Sequence, residues 1–493
     1  MAKTKIRHKC IMYSMRQYQY QVGAFVSGFV LMLYELCGSR VLTPVVGGSS
    51  YAWTGIIGVI IASLSGGYIT GGILADRRAK SSDIGLLFAL VVVGIFMTLL
   101  FIEPVSGFIT RVNFDVRIEA VLASIVLFAP TSFLLGALSP YLAKLSVTSL
   151  SSTGTSIASL SALNSIGGIL GTFLTGFVLF NLIGVRTTLV LGGLICVIMA
   201  LWLGRLAFGR RIGLFVVLLC TVLATATPAD RLVAAYDTST ASYTVQDIER
   251  GDRTVRVLTM GPGGYQSGIF LDNPTELAFA YTERTAEVIR ELPQPSRILI
   301  LGGGALSLPS SLARQYPSAN IDVVELDSKL TAIAREHFFY ADPPNVTIIN
   351  QDARTFLRSS SDSRYDAIVV DVFSDSGIPF SVTTQEFTDE LSSRLSDNGV
   401  VITNVIGSNS ATCAPLLSSI AASYRDAFSW VEAAPLFEPT MTARQNVLLI
   451  SGHKSPELAL QSVTFQPIDS SNARTLTDDF APIELLHNRC LAK

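Results

Sequence analysis

Three acids occupy matching places in the second half of this 493-residue chain. Glu325 closes "IDVVE", Asp352 follows "NVTIIN" in "NQDARTFL", and Asp371 closes "YDAIVVD". Each apolar run ahead of them reads as a buried strand, and helical patterns follow. Carboxylates spaced in this way collect at one edge of a parallel sheet, where the ligand of such a sheet sits. A fourth run, "RILIL", leads into Gly302, Gly303 and Gly304, where missing side chains let a ligand approach the backbone and the next helix N-terminus. A glycine loop alone is a weak signal, but three strand-terminal acids after it make a strong one. Glu325 stands about 20 residues beyond the loop, the usual place for an acid that bonds ribose hydroxyls.

The elements that must position these residues alternate between strand and helix. After "RILILGGG" come a helix over "LPSSLARQYP" that Pro317 ends, a strand in "IDVVELD", a helix over "SKLTAIAREHF" and the strand "NVTIIN". "YDAIVVDVF", a helix around "TQEFTDELSSRL", "NGVVITNVIG", a helix over "APLLSSIAASYRDAF" and a final strand "NVLLIS" complete the order. This alternation predicts an α/β domain over 296–493 with a mainly parallel sheet, helices on both faces and its ligand at the carboxyl ends of the strands. Residues 230–295 are expected to form a β-rich subdomain with a linking helix.

The first 229 residues differ in kind. Over the whole chain 49% of residues are hydrophobic and 15% charged, and the mean hydropathy is +0.47. Such a composition, with its apolar runs concentrated before about residue 227, predicts an integral membrane domain of six to seven helices. The expected spans are Val22–Leu42, Trp53–Leu74, Ile84–Phe101, Ala120–Leu142, Ile157–Phe180, Thr188–Leu206 and the shorter Ile212–Thr225. Lys3, Lys5, Arg7, Lys9 and Arg16, then Arg77, Arg78 and Lys80, then Arg205, Arg210 and Arg211 mark cytoplasmic segments, which puts the N-terminus inside. "SLSGGYITGGILAD" and "SIGGILGTFLTGFVLF" carry small residues at helix-contact spacing, and two related triplets of helices would be inverted repeats. Glu35 and Arg40 are ionisable residues within the first span.

Other classes are disfavoured. The six cysteines show no C-x-x-C spacing and the four histidines are scattered, so neither a metal site nor a disulfide framework is expected. A net charge of −2 without a basic-aromatic stripe argues against a nucleic-acid partner.

Residues 242–451 resemble the spermidine synthase family, the polyamine aminopropyltransferases, through "GGG" at 302–304, "VVELD" at 323–327, "QDA" at 351–353 and "YDAIVVD" at 365–371. "YQSGIFLDNPTELAFAYTE" is similar to the family segment that carries a Gln and a Tyr-x-Glu, here Gln266, Tyr281 and Glu283. The whole chain, with "YELCGSR" in the first span and "LTDDFAPIE" near the C-terminus, looks like bacterial membrane-fused members. The resemblance implies the Rossmann-like fold of class I S-adenosylmethionine methyltransferases. It further implies decarboxylated S-adenosylmethionine as co-substrate, no metal, a putrescine-like amine as acceptor, and spermidine and methylthioadenosine as products. A homodimer is compatible with it. Carried over by position, Gly302–Gly304 with Ala353 cradle the nucleoside, Glu325 takes the ribose, Asp352 the adenine amino group and Asp371 the reacting amine. Gln266, Tyr281, Glu283 and Asp375 would meet the substrates.

The chain departs from the family where an Asp usually follows the third glycine, since Ala305 stands there, and where acids precede Tyr-x-Glu, since Leu277 and Ala278 stand there. Acids beside the aminopropyl arm attract its ammonium and repel the carboxylate of intact S-adenosylmethionine. Asp478 and Asp479 are candidates to restore that charge. Alternative readings are a methyltransferase on the same fold, and a transporter-like or sensing membrane protein that binds a nucleoside or polyamine without turnover. Nucleoside supply favours a cytoplasmic 230–493, so Ile212–Thr225 is expected not to cross fully.

Overall fold

The computed structural model describes residues 2–46, 50–112, 115–147, 153–204, 213, 232–238, 240–260, 264–359, 364–372, 378–455, 465–468 and 473–491. The chain divides into two compact units, Met1–Ala229 and Asp230–Lys493.

Unit one contains helices α1 (Ala2–Val46), α2 (Ser50–Arg78), α3 (Ser81–Val112), α4 (Val116–Leu127), α5 (Ala129–Ser146), α6 (Thr153–Leu174) and α7 (Phe180–Gly204), with a π-helical turn at Thr175–Leu179. Among the described residues five helices are long and apolar enough to cross a membrane, or six if the bent pair α4 and α5 counts as one span. The run Ile212–Thr225 lies outside the described residues, apart from the helical Gly213.

One expected helix, Ala120–Leu142, is broken. A 57° bend separates α4 from α5, because Pro130 in the first turn of α5 has no N–H to continue the ladder and its ring excludes the carbonyl four residues back. At the same bend the carbonyl of Leu127 accepts from Tyr34 Oη at 3.0 Å and Thr98 Oγ1 at 2.8 Å. A backbone group freed inside an apolar bundle is thereby satisfied.

Small residues bring the helices together, and they do so twice by the same scheme. A Cβ on Gly28 would strike the Asn164 carbonyl, one on Gly167 the Phe25 carbonyl and one on Gly171 the Phe29 carbonyl, all between α1 and α6. Between α2 and α5, a Cβ on Gly136 would strike the Leu64 carbonyl, one on Gly67 the Phe133 carbonyl and one on Gly71 the Ala137 carbonyl. Leu64, Gly67 and Gly71 each precede Asn164, Gly167 and Gly171 by 100 positions, and Phe25, Gly28 and Phe29 each precede Phe133, Gly136 and Ala137 by 108. The first pair of contacts is therefore repeated, residue for residue, in the second. The third helices of the two groups, α3 and α7, pack on each other. Arg40 lies over the Phe180 ring, 5.5 Å from its centroid, and exposed ion pairs join α2 to α5 (Asp76 and Lys144, 2.7 Å) and α3 to α7 (Glu103 and Arg186, 2.6 Å).

Unit two opens with a four-stranded antiparallel sheet, β1 (Leu232–Asp237), β2 (Ser242–Arg250), β3 (Arg253–Met260) and β4 (Tyr265–Phe270), followed by helix α8 (Ala280–Arg290). The main sheet then runs β5 (Arg297–Leu301), α9 (Ser307–Gln315), β6 (Asn320–Glu325), α10 (Ser328–His337), β7 (Val346–Asn350), α11 (Ala353–Arg358), β8 (Tyr365–Val370), α12 (Gln385–Arg394), β9 (Leu395–Gly407), α13 (Ala414–Ala427), β10 (Trp430–Pro435), β11 (Gln445–Gly452) and α14 (Ile483–Leu491). Its order is β10-β11-β9-β8-β5-β6-β7. The five strands β9, β8, β5, β6 and β7 are parallel, while β11 runs antiparallel to β9 and β10 antiparallel to β11. The order of connection reverses at β5, which has β6 on one side and β8 on the other, and this makes a crevice at the carboxyl ends of those three strands. Strand β10 went unread because "WVEAAP" is short and half buried, with little alternation to mark it.

The expectation of no disulfide is corrected. Cys413, at the start of α13, is joined to Cys490 in α14 across 77 positions of sequence, with Cα atoms 4.0 Å apart. Spacing along the chain carried no sign of it, because the two helices meet only once the sheet has formed. The bond pins the C-terminal helix to the apolar layer that contains Leu416, Leu417 and Ile483.

Gly167→Leu and Gly67→Leu should each lower the thermal midpoint of the purified protein or abolish a monodisperse peak, because the neighbour is a backbone carbonyl that cannot yield. Gly58→Leu and Gly176→Leu, where a Cβ meets nothing within 4 Å, should remain close to wild type. Equal loss in both sets would contradict the packing scheme.

Candidate active site

A cavity of about 280 Å³ opens at the carboxyl ends of β5, β6 and β8. Nine of the residues singled out by sequence line it: Gln266, Tyr281, Gly302, Gly303, Gly304, Glu325, Asp352, Ala353 and Asp371. Of the other two, only one is described, and it is not brought to the cavity. Asp375 lies outside the described residues. Glu283 lines a separate cavity with Arg250, Glu276 and Arg290, because two residues beyond Tyr281 on a helix is a turn of about 200° and faces the other way.

The glycines are there for backbone reasons. Gly302 has φ +95° and a Cβ on it would strike the Asp371 carbonyl, so this position admits no side chain in either conformation or space. Gly304, at φ +51°, turns the chain beneath Ser267, whose hydroxyl lies 3.2 Å from that of Ser307. Ala305, next in line, is buried among Tyr243, Leu258 and Leu330. A carboxylate in that apolar cluster would be unsolvated, so its absence here is consistent with the surroundings.

Each acid is held by uncharged hydrogen-bond donors. Glu325 accepts from the N–H groups of Gly303 (2.8 Å), Gly304 (3.3 Å) and Asp327 (3.0 Å). Burial pushes its carboxyl above the usual range, and those three N–H groups work against the shift. It therefore fixes the glycine loop while facing the cavity. Asp352 is the N-cap of α11, with Oδ1 accepting from the N–H of Thr355 at 2.9 Å and its hydroxyl at 3.1 Å. The cap and the lining role coexist in one side chain.

Asp371 follows β8 directly. Asn404 on β9 donates from Nδ2 to its Oδ1 at 3.0 Å, and Tyr281, whose hydroxyl donates to the Gln266 carbonyl at 2.9 Å, stands beside it. Burial pushes the Asp371 carboxyl up to about 6, Asn404 and Tyr281 oppose this, and the charge of Glu325 adds to it. Burial likewise raises the Tyr281 hydroxyl well above its ordinary value, reinforced by Asp371, so it remains protonated.

Asp478 does not bring charge to the cavity. Both its oxygens are taken by Arg354, at 2.6 and 2.7 Å, and Thr384 donates to Oδ1 at 2.8 Å. The same guanidinium donates to the Ser381 carbonyl at 3.1 Å, and Ser381 lines the cavity. Arg354 therefore clamps the C-terminal segment to the cavity wall. Asp479 sits in the adjoining turn and does not line the cavity. Asn404 was missed by sequence reasoning, although a lone amide within the apolar run "VVITNVIG" was a visible signal.

An acid whose folded pKa exceeds its unfolded one binds more protons when folded, so stability falls as pH rises between the two values, here from 3.8 to about 6. Asp371→Asn, a neutral mimic of the protonated acid, should therefore gain roughly 1–3 kcal/mol over wild type at pH 8, and the gain should vanish near pH 4. Thermal unfolding across that range measures it. Parallel curves for the two proteins would contradict a buried, raised Asp371.

The second half of the chain is similar to known proteins. The family model described as "Spermine/spermidine synthase domain" matches residues 278–462. A polyamine aminopropyltransferase of Vibrio vulnificus is 28% identical over 232 residues, which cover 42% of this chain and 75% of that protein. Putrescine N-methyltransferase 1 of Nicotiana tabacum is 31% identical over 131 residues, 25% of this chain and 35% of that one. A crystal structure of a probable spermidine synthase from Corynebacterium glutamicum aligns at 22% identity with a TM-score of 0.42, covering 52% of this chain and 99% of its own. Residues 278–462 thus match a spermine/spermidine synthase domain, and an apolar helical unit precedes them in the chain.

Proposed function

We propose that the protein is a membrane-bound aminopropyltransferase, which moves the propylamine group of decarboxylated S-adenosylmethionine to an amine such as putrescine. One observation carries this reading: among the described residues the cavity is lined by Glu325, Asp352 and Asp371 and by no Lys or Arg. Three carboxylates without a cation select ligands that bring their own positive charge. A sulfonium nucleoside with an ammonium arm does so, and so does a diamine.

In this reading Glu325 holds the ribose and Asp352 the adenine amino group, while Gln266 and Tyr281 border the acceptor. Asp371 accepts a proton from the acceptor ammonium. The freed nitrogen then attacks the methylene carbon next to the sulfonium, a C–N bond forms, the C–S bond breaks, and methylthioadenosine leaves with the electron pair. A base with its pKa near 6 is ionised at neutral pH yet still basic enough to take that proton. Much of the remaining acceleration comes from holding both substrates in line.

Methyl transfer is the second reading, favoured by Ala305 and by the similarity to a protein named putrescine N-methyltransferase. The purified chain, given decarboxylated or intact S-adenosylmethionine and a panel of amines, separates the two. Methylthioadenosine is expected from the decarboxylated substrate. Adenosylhomocysteine from the intact one would replace the first reading with the second, and neither product would overturn both. Asp371→Asn should abolish turnover while nucleoside binding stays within about tenfold, because ribose and adenine contacts are intact.

The apolar helices and the basic segments flanking them support a multi-pass protein of the bacterial inner membrane with its N-terminus inside. Two considerations pull apart over the side that residues 230–493 occupy. Nucleoside supply favours the cytoplasm, whereas the Cys413–Cys490 disulfide favours an oxidising face. Alkylation of intact cells before lysis, followed by mass spectrometry of the two cysteines, bears on both: free thiols accord with enzyme activity in the cytoplasm, and an oxidised pair places the catalytic unit where that substrate is not made.

A further inference from the structure

Asp371 is the end of a chain of amides that crosses three strands. Asn446 on β11 donates from Nδ2 to Asn404 Oδ1 at 3.0 Å, and Asn404 on β9 donates from Nδ2 to Asp371 Oδ1 at 3.0 Å. The register explains why they meet. Val370 at the end of β8 pairs with Thr403, so Asp371 and Asn404 are the next residues along two parallel neighbours. Asn404 pairs with Leu448 on β11, and Asn446 stands two residues from Leu448 on the same face of that strand. Asn404 is buried at 7% exposure and Asn446 is half buried.

The direction of the chain is fixed by chemistry. An ionised carboxylate only accepts, so Asn404 must present its amide N–H to Asp371. Its carbonyl oxygen then faces Asn446, which must donate in turn. Neither amide can rotate by half a turn without placing an acceptor against an acceptor. A buried amide and a half-buried one in apolar strands are costly unless they bond each other, and here they do.

We propose that Asn404 and Asn446 are positioning residues for Asp371: they bind one carboxylate oxygen, leave the other for the cavity, and hold the side chain in its ionised form. The inference rests on Asp371 being the base of the proposed transfer. The titratable groups that face Asp371 among the described residues are Tyr281 from α8 and Glu325 from the end of β6, while β9 and β11 contribute only the amides. Of these, Glu325 disfavours the ionised form and Tyr281 shares the work of stabilising it.

The test is the pH dependence of Asn404→Leu and Asn446→Leu. A lost bond from a neutral donor to a buried carboxylate corresponds to about one pH unit. The acidic limb of the rate profile should therefore move up by about one unit in Asn404→Leu, giving a loss of about tenfold below pH 6 that disappears by pH 9. Asn446→Leu should move it in the same direction by less, since Asn404 keeps its place in the strand. The Asp371 titration is also read without turnover, as the pH dependence of thermal stability of each protein minus that of its Asp371→Asn derivative. An inactive wild type that still shows the shifted titration would sink the transferase reading and keep the relay. Unshifted titrations in both Asn variants would overturn the relay whatever the activity, and because Asn446 is only half buried its variant keeps the question decidable if Asn404→Leu does not fold.

Discussion

Carboxylates that must meet a cationic ligand cannot be neutralised by the protein's own cations, yet they cannot be left bare in a cavity either. The charge of an unsolvated acid is costly, and its pKa rises until the charge is lost. This chain resolves the conflict with donors that carry no net charge: backbone N–H groups for Glu325, a helix cap for Asp352 and amides for Asp371. Asp478, only a short way off through Arg354, follows the opposite rule. Its charge is bonded at both oxygens to the guanidinium, and it serves the fold rather than the cavity.

That division accounts for the local architecture. The parallel strands β6, β7 and β8 must end together so that three acids share one edge. The loop after β5 must be glycine at Gly302, because the Asp371 backbone occupies the space where a side chain would go. The loop and Asp371 are thus fitted to one another. Arg354 fastens the wall that contains Ser381, and the disulfide fastens the helix beyond it.

Much of this was legible in the amino-acid order, and the reasons are physical. Buried parallel strands are continuous apolar runs, so Glu325, Asp352 and Asp371 stood out as charges at their ends, and Gly302–Gly304 stood out as a loop. What depends on contacts between distant segments was not legible. Glu283 was placed with Tyr281 by the resemblance of the Tyr-x-Glu segment, but a helix separates them by its twist. Cys413 and Cys490 meet only through the packing of α13 and α14. The bend at Phe128 was signalled by Pro130 and was passed over because the apolar run continued through it. In unit one the similarity of two glycine-rich segments was faint as a string, and became specific only when each glycine met an equivalent carbonyl.

The central claim is that a cavity with three carboxylates and no cation prefers a cationic arm, even with Ala305 beside the glycine loop. A unit charge about 5 Å from one such acid, at the effective dielectric near a protein surface, is worth about 3 kcal/mol before screening. Calorimetric titration of the purified chain at pH 8 with decarboxylated and with intact S-adenosylmethionine tests it most directly. The account predicts that the decarboxylated compound binds at least about tenfold more tightly, with the preference reduced in Asp371→Asn. Equal affinities, or tighter binding of the carboxylated compound, would contradict it.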